Sequence, residues 1–103
     1  MKDEIKKYKI IVHDKAAQML YSHIQFLANV SVPAAKRLRV NLNEAIMSLE
    51  YMPFRCPVYP TRNTLESYRQ LITGRYKIIY SINEAERIVS VKYILDSHQN
   101  NDI

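Results

Sequence analysis

After a short extended segment at its start, the chain changes from a helical to an alternating hydrophobic period, and this change limits the possible folds more than any other feature. Between Ala17 and Leu49 the apolar residues recur every three or four positions, which is typical of amphipathic helices. Between Tyr76 and Leu95 they alternate with polar residues, which is typical of half-buried strands. Because the helical and extended segments are separated rather than interleaved, the order predicts an α+β protein.

One strand and one helix are predicted at the start of the chain. Tyr8 to His13 is rich in β-branched residues and predicts a strand. Asp14 follows it and is expected to cap the next helix. The apolar face of this helix comprises Ala17, Leu20, Tyr21, Ile24, Leu27 and Ala28. The break at Ser31-Val32 precedes Pro33, which fits the first turn of a second helix.

The second predicted helix extends to Pro53, which ends it. Its apolar face comprises Ala35, Leu38, Leu42, Ala45, Ile46 and Leu49. Two helices joined by a short break form an antiparallel hairpin. Since neither helix buries its apolar face alone, we expect both to lie on one face of a sheet.

The C-terminal half is predicted to be a loop followed by an antiparallel meander. Pro53 to Thr64 contains three prolines and predicts a loop. The three strands are Tyr68 to Ile72, Tyr76 to Ile82 and Arg87 to Leu95, with a polar turn at 83–86. In the last strand, Val89, Val91, Tyr93 and Leu95 are expected on one face. The predicted order is therefore β-α-α-β-β-β.

Length, charge and cysteine content restrict the class of protein. The chain has 103 residues and no linker, so residues 1–103 are predicted to form one domain with frayed ends at 1–7 and 99–103. A formal charge of +5 favours nucleic acid, anionic lipid or an acidic protein as a partner. The lone Cys56 forms no internal disulfide, and no apolar run approaches about 20 residues, so a cytoplasmic protein without membrane contact is expected.

Five stretches together resemble the RelE/ParE toxin superfamily over about residues 8 to 100. They are Tyr8–Val12, Ala45–Pro53, Tyr68–Leu71, Gly74–Tyr80 and Ile94–Gln99. The resemblance implies the toxin of a type II toxin–antitoxin system, a plasmid-stabilisation function, and a hetero-oligomer with a cognate antitoxin. It also implies one of two activities: RelE-like members cleave messenger RNA on the ribosome, and ParE-like members inhibit DNA gyrase without cleaving anything.

The endoribonuclease hypothesis assigns catalysis to Lys77, Arg69, Arg75 and His98. Metal-independent RNA cleavage needs a base, an acid and a cation beside the reacting phosphate. Lys77 and His98 stand where the resemblance leads us to expect arginines, and the tail at 99–103 has neither a tyrosine nor a basic residue. The hypothesis requires Lys77, His98 and one of the two arginines on a single open sheet face. Alternatively, Lys77 is a solvated lysine, the arginines pair with Glu66 or Glu50, and His98 belongs to a loose tail.

The gyrase hypothesis instead assigns function to the basic side of the helical hairpin, Lys36, Arg37 and Arg39. Arg62 is a further candidate for contact with nucleic acid or a partner. An inactive relative that only binds an antitoxin is a third possibility. No metal and no cofactor are expected, because the three histidines lack ligand spacing and Cys56 has no second thiol. If the chain is an enzyme, it is therefore a metal-independent endoribonuclease.

Overall fold

One mixed sheet with two helices on one face is the architecture of the computed structural model, which describes residues 7–62 and 65–98. The elements are β1 (Lys9–Val12), α1 (Asp14–Ala28), α2 (Val32–Met47), β2 (Val58–Tyr59), β3 (Tyr68–Thr73), β4 (Tyr76–Asn83) and β5 (Ile88–Asp96). The strand order is β1-β5-β4-β3-β2, with β1 parallel to β5 and the other pairs antiparallel. The predicted α+β class and element order are confirmed. The two-residue β2 lies in the segment predicted to be a loop, because two residues show no period.

The start of α2 agrees with the sequence, whereas the start of α1 does not. Ser31 caps α2 by accepting a hydrogen bond from the Ala34 N–H at 3.2 Å, and Pro33 lies in the first turn. Asp14 is not a cap: His13 occupies that position, and Asp14 is the first residue of α1. There its negative charge still interacts favourably with the positive end of the helix dipole.

The buried face of α2 is the predicted one, but that of α1 is rotated. Ala17 and Tyr21 are exposed, whereas Ala16 is fully buried and Met19 and His23 are half-buried. On the side of α1 that faces β5, His23 Nε2 lies 2.7 Å from the Ile94 carbonyl oxygen. A polar residue on the buried face is not visible to a pattern that counts only apolar positions.

The core lies between the helices and the sheet, and a β-bulge in β5 decides which residues reach it. Its largest buried members are Leu42, Leu49, Ile78, Tyr80, Val89, Val91 and Ile94. Val91 pairs with Tyr80 while Tyr93 pairs with Ile79, so Lys92 is the extra residue. A bulge inverts the alternation beyond it. The prediction that Tyr93 and Leu95 share a face with Val89 and Val91 is therefore wrong.

Two turns use left-handed backbone conformations. Gly74, with φ 59°, and Arg75 connect β3 to β4. Arg87 has φ 56° and ends the turn before β5, so the prediction that Arg87 begins the strand is wrong by one residue.

Both ends of the chain, 1–7 and 99–103, were predicted to be frayed. The predicted fraying of 1–6 and 99–103 falls outside the described residues. Lys7 is described, and its ammonium lies 3.9 Å from the Glu50 carboxylate. Within the described ranges, no helix has the length and apolar character that crossing a membrane requires.

Candidate functional site

Lys77 lies on the sheet face opposite the helices. In β4 it precedes the core residue Ile78 and is flanked across the sheet by Ile72 and Leu95. Its ammonium is 5.8 Å from the centroid of the Tyr59 ring, a distance at which the ring attracts a cation. The prediction that Lys77 faces away from the helices is confirmed.

Arg69 lies on the other face. It pairs with the core residue Tyr80, which faces the helices, so its side chain starts on the helix side of the sheet. Its guanidinium donates to the backbone carbonyl oxygens of Phe54, at 3.2 Å, and Cys56, and lies 5.1 Å from the centroid of the Phe54 ring. The expectation that Arg69 pairs with Glu66 or Glu50 is wrong.

Arg75 and His98 both contact Asp96 at the end of β5. Arg75 donates from Nε and Nη2 to the two carboxylate oxygens, at 3.2 and 3.0 Å. The His98 N–H donates to Oδ1 at 2.9 Å, and His98 Nδ1 lies 3.5 Å from the same oxygen. Arg75 therefore pairs with Asp96, not with Glu50 or Glu66. Asp96 was not among the residues predicted from the sequence, in which its only signal is its position at the end of the last strand.

The electrostatics of this cluster follow from those contacts. Burial by itself would raise the pKa of Asp96, but the hydrogen bonds from Arg75 and the His98 N–H, with the nearby positive charge, hold that pKa below its usual value. The hydrogen bond to Asp96 raises the pKa of Arg75. The carboxylate is therefore ionised, takes two of the N–H donors of Arg75 and compensates the charge that Arg75 would offer to a phosphate.

The open sheet face carries tyrosines around Lys77. Tyr59 pairs with Tyr68, whose ring makes an edge contact with Tyr93 at 6.3 Å between centroids. Lys92 lies at the bulge, 3.7 Å from the Glu66 carboxylate. Each of the three tyrosines is half-buried, and Ile79, which pairs with Tyr93, is fully buried.

A cleft of about 880 Å³ lies on the helix side, between the helical hairpin and the β3–β4 turn. Its apolar lining includes Met19, Phe26, Leu27, Leu38 and Leu42. Lys15, Arg75 and Asp96 are its charged lining residues, and Arg75 is paired with Asp96. Phe26 is 75% exposed although it is a large apolar residue. The cleft therefore offers apolar contacts beside the positive charge of Lys15.

The remaining predicted contact residues lie on the surface. Lys36, Arg37 and Arg39 are exposed on α2, as their place off the apolar face indicated. Arg62 is exposed in the segment between β2 and β3. None of the four lines the cleft.

The segment 48–58 is named here the braced loop. The second helix was predicted to extend to Pro53, but α2 ends at Met47, and the predicted loop, Pro53 to Thr64, covers only the second part of this segment. The braced loop follows α2 and contains two short 3₁₀ turns, Ser48–Glu50 and Pro53–Arg55. Met52, between the two turns, has φ 51° and ψ 53°, a left-handed conformation that is uncommon for a residue with a side chain. Proline content revealed the loop, but nothing in the sequence indicated its internal hydrogen bonds.

Three side chains hold the braced loop through its carbonyl oxygens. Arg55 Nη1 donates to the oxygens of Ser48, Tyr51 and Met52, at 3.3, 2.9 and 3.3 Å, and Nη2 donates to the Ser48 hydroxyl at 2.9 Å. The buried Tyr80 hydroxyl donates to the Pro53 carbonyl oxygen at 2.6 Å. Arg69 supplies the third contact, as described above. The loop therefore has a defined conformation.

Comparison with known proteins places this arrangement in a family. Residues 10–101 match the model of the ParE toxin of the parDE type II toxin–antitoxin system. The chain therefore belongs to the ParE toxin family of type II toxin–antitoxin systems, within the RelE/ParE superfamily. A search of the curated proteins finds no match.

Two solved structures share the fold. The RelBE2 toxin–antitoxin complex of Mycobacterium tuberculosis matches with a TM-score of 0.63 and 19% identity, covering 92% of this chain and 97% of that one. The archaeal RelE–RelB complex of Pyrococcus horikoshii OT3 matches with a TM-score of 0.62 and 19% identity, covering 91% and 99%. At this identity the likeness concerns the fold.

Proposed function

We propose that this toxin arrests growth by binding and inhibiting an essential protein, and that it does not cleave RNA. DNA gyrase is the target that the resemblance to ParE-like toxins implies. The observation that carries the proposal is the separation of the four candidate catalytic residues. Lys77 is on the open sheet face, Arg69 is on the opposite face, and Arg75 and His98 meet at Asp96.

This separation matters because RNA cleavage without a metal requires several groups at one phosphate. A base within hydrogen-bond reach of the 2′-hydroxyl, an acid at the leaving oxygen and a cation must act together. Lys77 by itself supplies only the cation and neither the base nor the acid. Its ammonium is a point charge, which orients a bound phosphate less well than the planar guanidinium of an arginine. The Asp96 carboxylate beside Arg75 and His98 repels a phosphate that approaches them.

The cleft on the helix side is the proposed docking site of the antitoxin. A segment with apolar side chains covers Phe26 and Leu38, and acidic groups on it face Lys15, because the charge of Arg75 is already compensated by Asp96. Segments of this kind bind grooves through a few spaced apolar anchors. The RelBE2 and RelE–RelB structures that share this fold are both complexes of a toxin with an antitoxin, which supports an antitoxin as partner.

A second candidate, RNA binding on the open sheet face, is favoured by one observation. Tyr59, Tyr68 and Tyr93 lie around Lys77 on that face, and tyrosine rings beside a cation bind single-stranded bases by stacking. Because the Tyr68 and Tyr93 rings contact each other and all three tyrosines are half-buried, they offer less stacking surface than free rings.

Expression of the toxin without antitoxin in bacteria discriminates between the two candidates. In cells, the measurements are growth and the cleavage of messenger RNA, mapped by primer extension. With purified proteins, the measurement is supercoiling by gyrase in the presence of the toxin. We expect arrest, intact transcripts and inhibited supercoiling. The double variant Lys77→Ala/His98→Ala is expected to remain fully toxic. Cleaved transcripts that disappear in this variant, with supercoiling unaffected, would contradict the proposal and show that the toxin acts on RNA.

A further inference from the structure

Large apolar side chains are exposed along the braced loop. Tyr51 is 43% exposed, Met52 73%, Phe54 45% and Val58 52%. Aromatic residues and methionine are enriched in the cores of protein–protein interfaces, where they fill pockets of the partner. Three such residues and Val58 lie within eight positions of the chain, unlike scattered apolar residues on a surface.

The loop is also held in place before any partner binds. Six backbone carbonyl oxygens of the loop accept hydrogen bonds from Arg55, Arg69 or Tyr80. These contacts keep Met52 in its left-handed conformation, and strained positions that surrounding contacts maintain are concentrated at functional sites. An ordered loop loses less conformational entropy on association than a flexible one, so the exposed side chains are prepared for binding.

The charges beside the exposed side chains indicate the chemistry of the partner. Arg55 and Arg69 donate to carbonyl oxygens, and within the described ranges neither guanidinium forms an ion pair with a carboxylate. Both positive charges therefore remain uncompensated next to Tyr51, Met52 and Phe54. An acidic surface complements them, whereas a second copy of the chain would bring like charges together across a two-fold axis.

We propose that the braced loop is the surface with which the toxin docks on its protein target. Tyr51, Met52 and Phe54 enter an apolar cleft of the target, and carboxylates at the rim of that cleft face Arg55 and Arg69. This inference rests on the proposed function and specifies where the target binds. An ordered loop fits a preformed cleft of a folded protein, whereas an extended antitoxin segment needs the concave site beside Phe26.

The test uses the double variant Met52→Gly/Phe54→Ala in the full-length toxin. Glycine adopts the left-handed conformation without strain, and the arginine contacts are made by backbone oxygens, so the fold should be retained. The matched control is Ile72→Ala, which truncates an apolar residue of 58% exposure on the open sheet face. Circular dichroism and thermal unfolding verify the fold, and the single variant Phe54→Ala is used if the double variant unfolds.

Two activities are measured: the toxin concentration that half-inhibits supercoiling by purified gyrase, and neutralisation by the product of the small gene adjoining that of the toxin. We expect the double variant to need at least about 10-fold more protein, because truncating residues at the centre of an interface has effects of this size. Ile72→Ala should match the wild type, and neutralisation should be retained.

The outcomes separate this inference from the function on which it rests. If the wild type inhibits supercoiling and a folded double variant inhibits equally well, the docking surface is wrong and the proposed function stands. Loss of neutralisation with inhibition retained would show that the antitoxin covers the loop, and would also overturn the inference. A wild type that leaves supercoiling unchanged overturns the proposed function and, with it, the docking inference.

Discussion

Replacing Tyr80 by phenylalanine tests the contact between the core and the braced loop. The Tyr80 side chain is fully buried, and its hydroxyl donates to the carbonyl oxygen of the buried Pro53 at 2.6 Å. Tyr80→Phe keeps the ring in the core but leaves that carbonyl oxygen without this donor. An unsatisfied buried polar group costs about 1–3 kcal/mol. We therefore expect the free energy of unfolding to fall by about that amount.

Urea and thermal unfolding measure this loss. For a domain of this size, each kcal/mol lowers the melting temperature by about 4–8 °C. Tyr21→Phe is the matched control, because Tyr21 is 65% exposed and its substitution should change stability by less than about 0.5 kcal/mol. If Tyr80→Phe is as stable as this control, the hydroxyl does not hold the loop and the reasoning is refuted.

The same substitution should change the stability at alkaline pH. Burial, reinforced by the neighbouring Cys56, raises the pKa of Tyr80 above its usual value. The stabilisation of the protonated phenol is complete below the pKa of an unfolded tyrosine, about 10, and is lost as the pH rises above it. The wild type should therefore lose stability more steeply than Tyr80→Phe between about pH 10 and 11. Part of the decline should remain, since burial also raises the pKa of Tyr76.

Three further predictions concern the stability at acidic pH, the hydrophobic core and the cleft on the helix side. Asp96→Asn should make the melting temperature fall less steeply below about pH 4. The lowered pKa of Asp96 means that its carboxylate stabilises the fold above the usual pKa of an aspartate, and this contribution disappears as the carboxylate is protonated. The same dependence of melting temperature on acidic pH in the variant and the wild type would contradict the Arg75 contact. Leu42→Ala, at a side chain that is 1% exposed, should lower the free energy of unfolding by about 2–5 kcal/mol in urea titrations, and a loss below 1 kcal/mol would exclude its core position. Phe26→Asp should weaken the affinity for the antitoxin, measured by calorimetry, at least about 10-fold, while gyrase inhibition persists. An unchanged affinity would exclude the cleft as the binding site of the antitoxin.

Local chemistry made the elements readable from the sequence. The apolar spacing of α2, the proline in its first turn and the alternation in β4 are properties of neighbouring residues, so they predicted the start and buried face of α2 and the bounds of β4 closely, although α2 ends at Met47 and not at Pro53. The same holds for the position of Lys77 on the open face, because alternation in a regular strand fixes which side each residue occupies.

The bulge in β5 could not be predicted, because it depends on pairing with β4 and not on the sequence of β5 alone. It moved Tyr93 and Leu95 to the face opposite the helices. Polar contacts between distant parts of the chain could not be predicted either. The His23 contact to Ile94 accompanies a rotated α1, and Arg75 pairs with Asp96 where Glu50 or Glu66 was expected.

The sequence by itself determined the α+β class, the order of the elements and the likeness to a toxin superfamily, because periodicity and motif order are carried by the chain. Only the tertiary structure decided which basic residues share a site. Lys77 and Arg69 lie eight positions apart on adjacent strands, yet the hairpin register places them on opposite faces of the sheet. The pairing of Arg75 with Asp96 joins residues 21 positions apart. Such arrangements depend on the register in which the strands pair, which the sequence does not reveal. They place apart candidate residues that the sequence had suggested for one site.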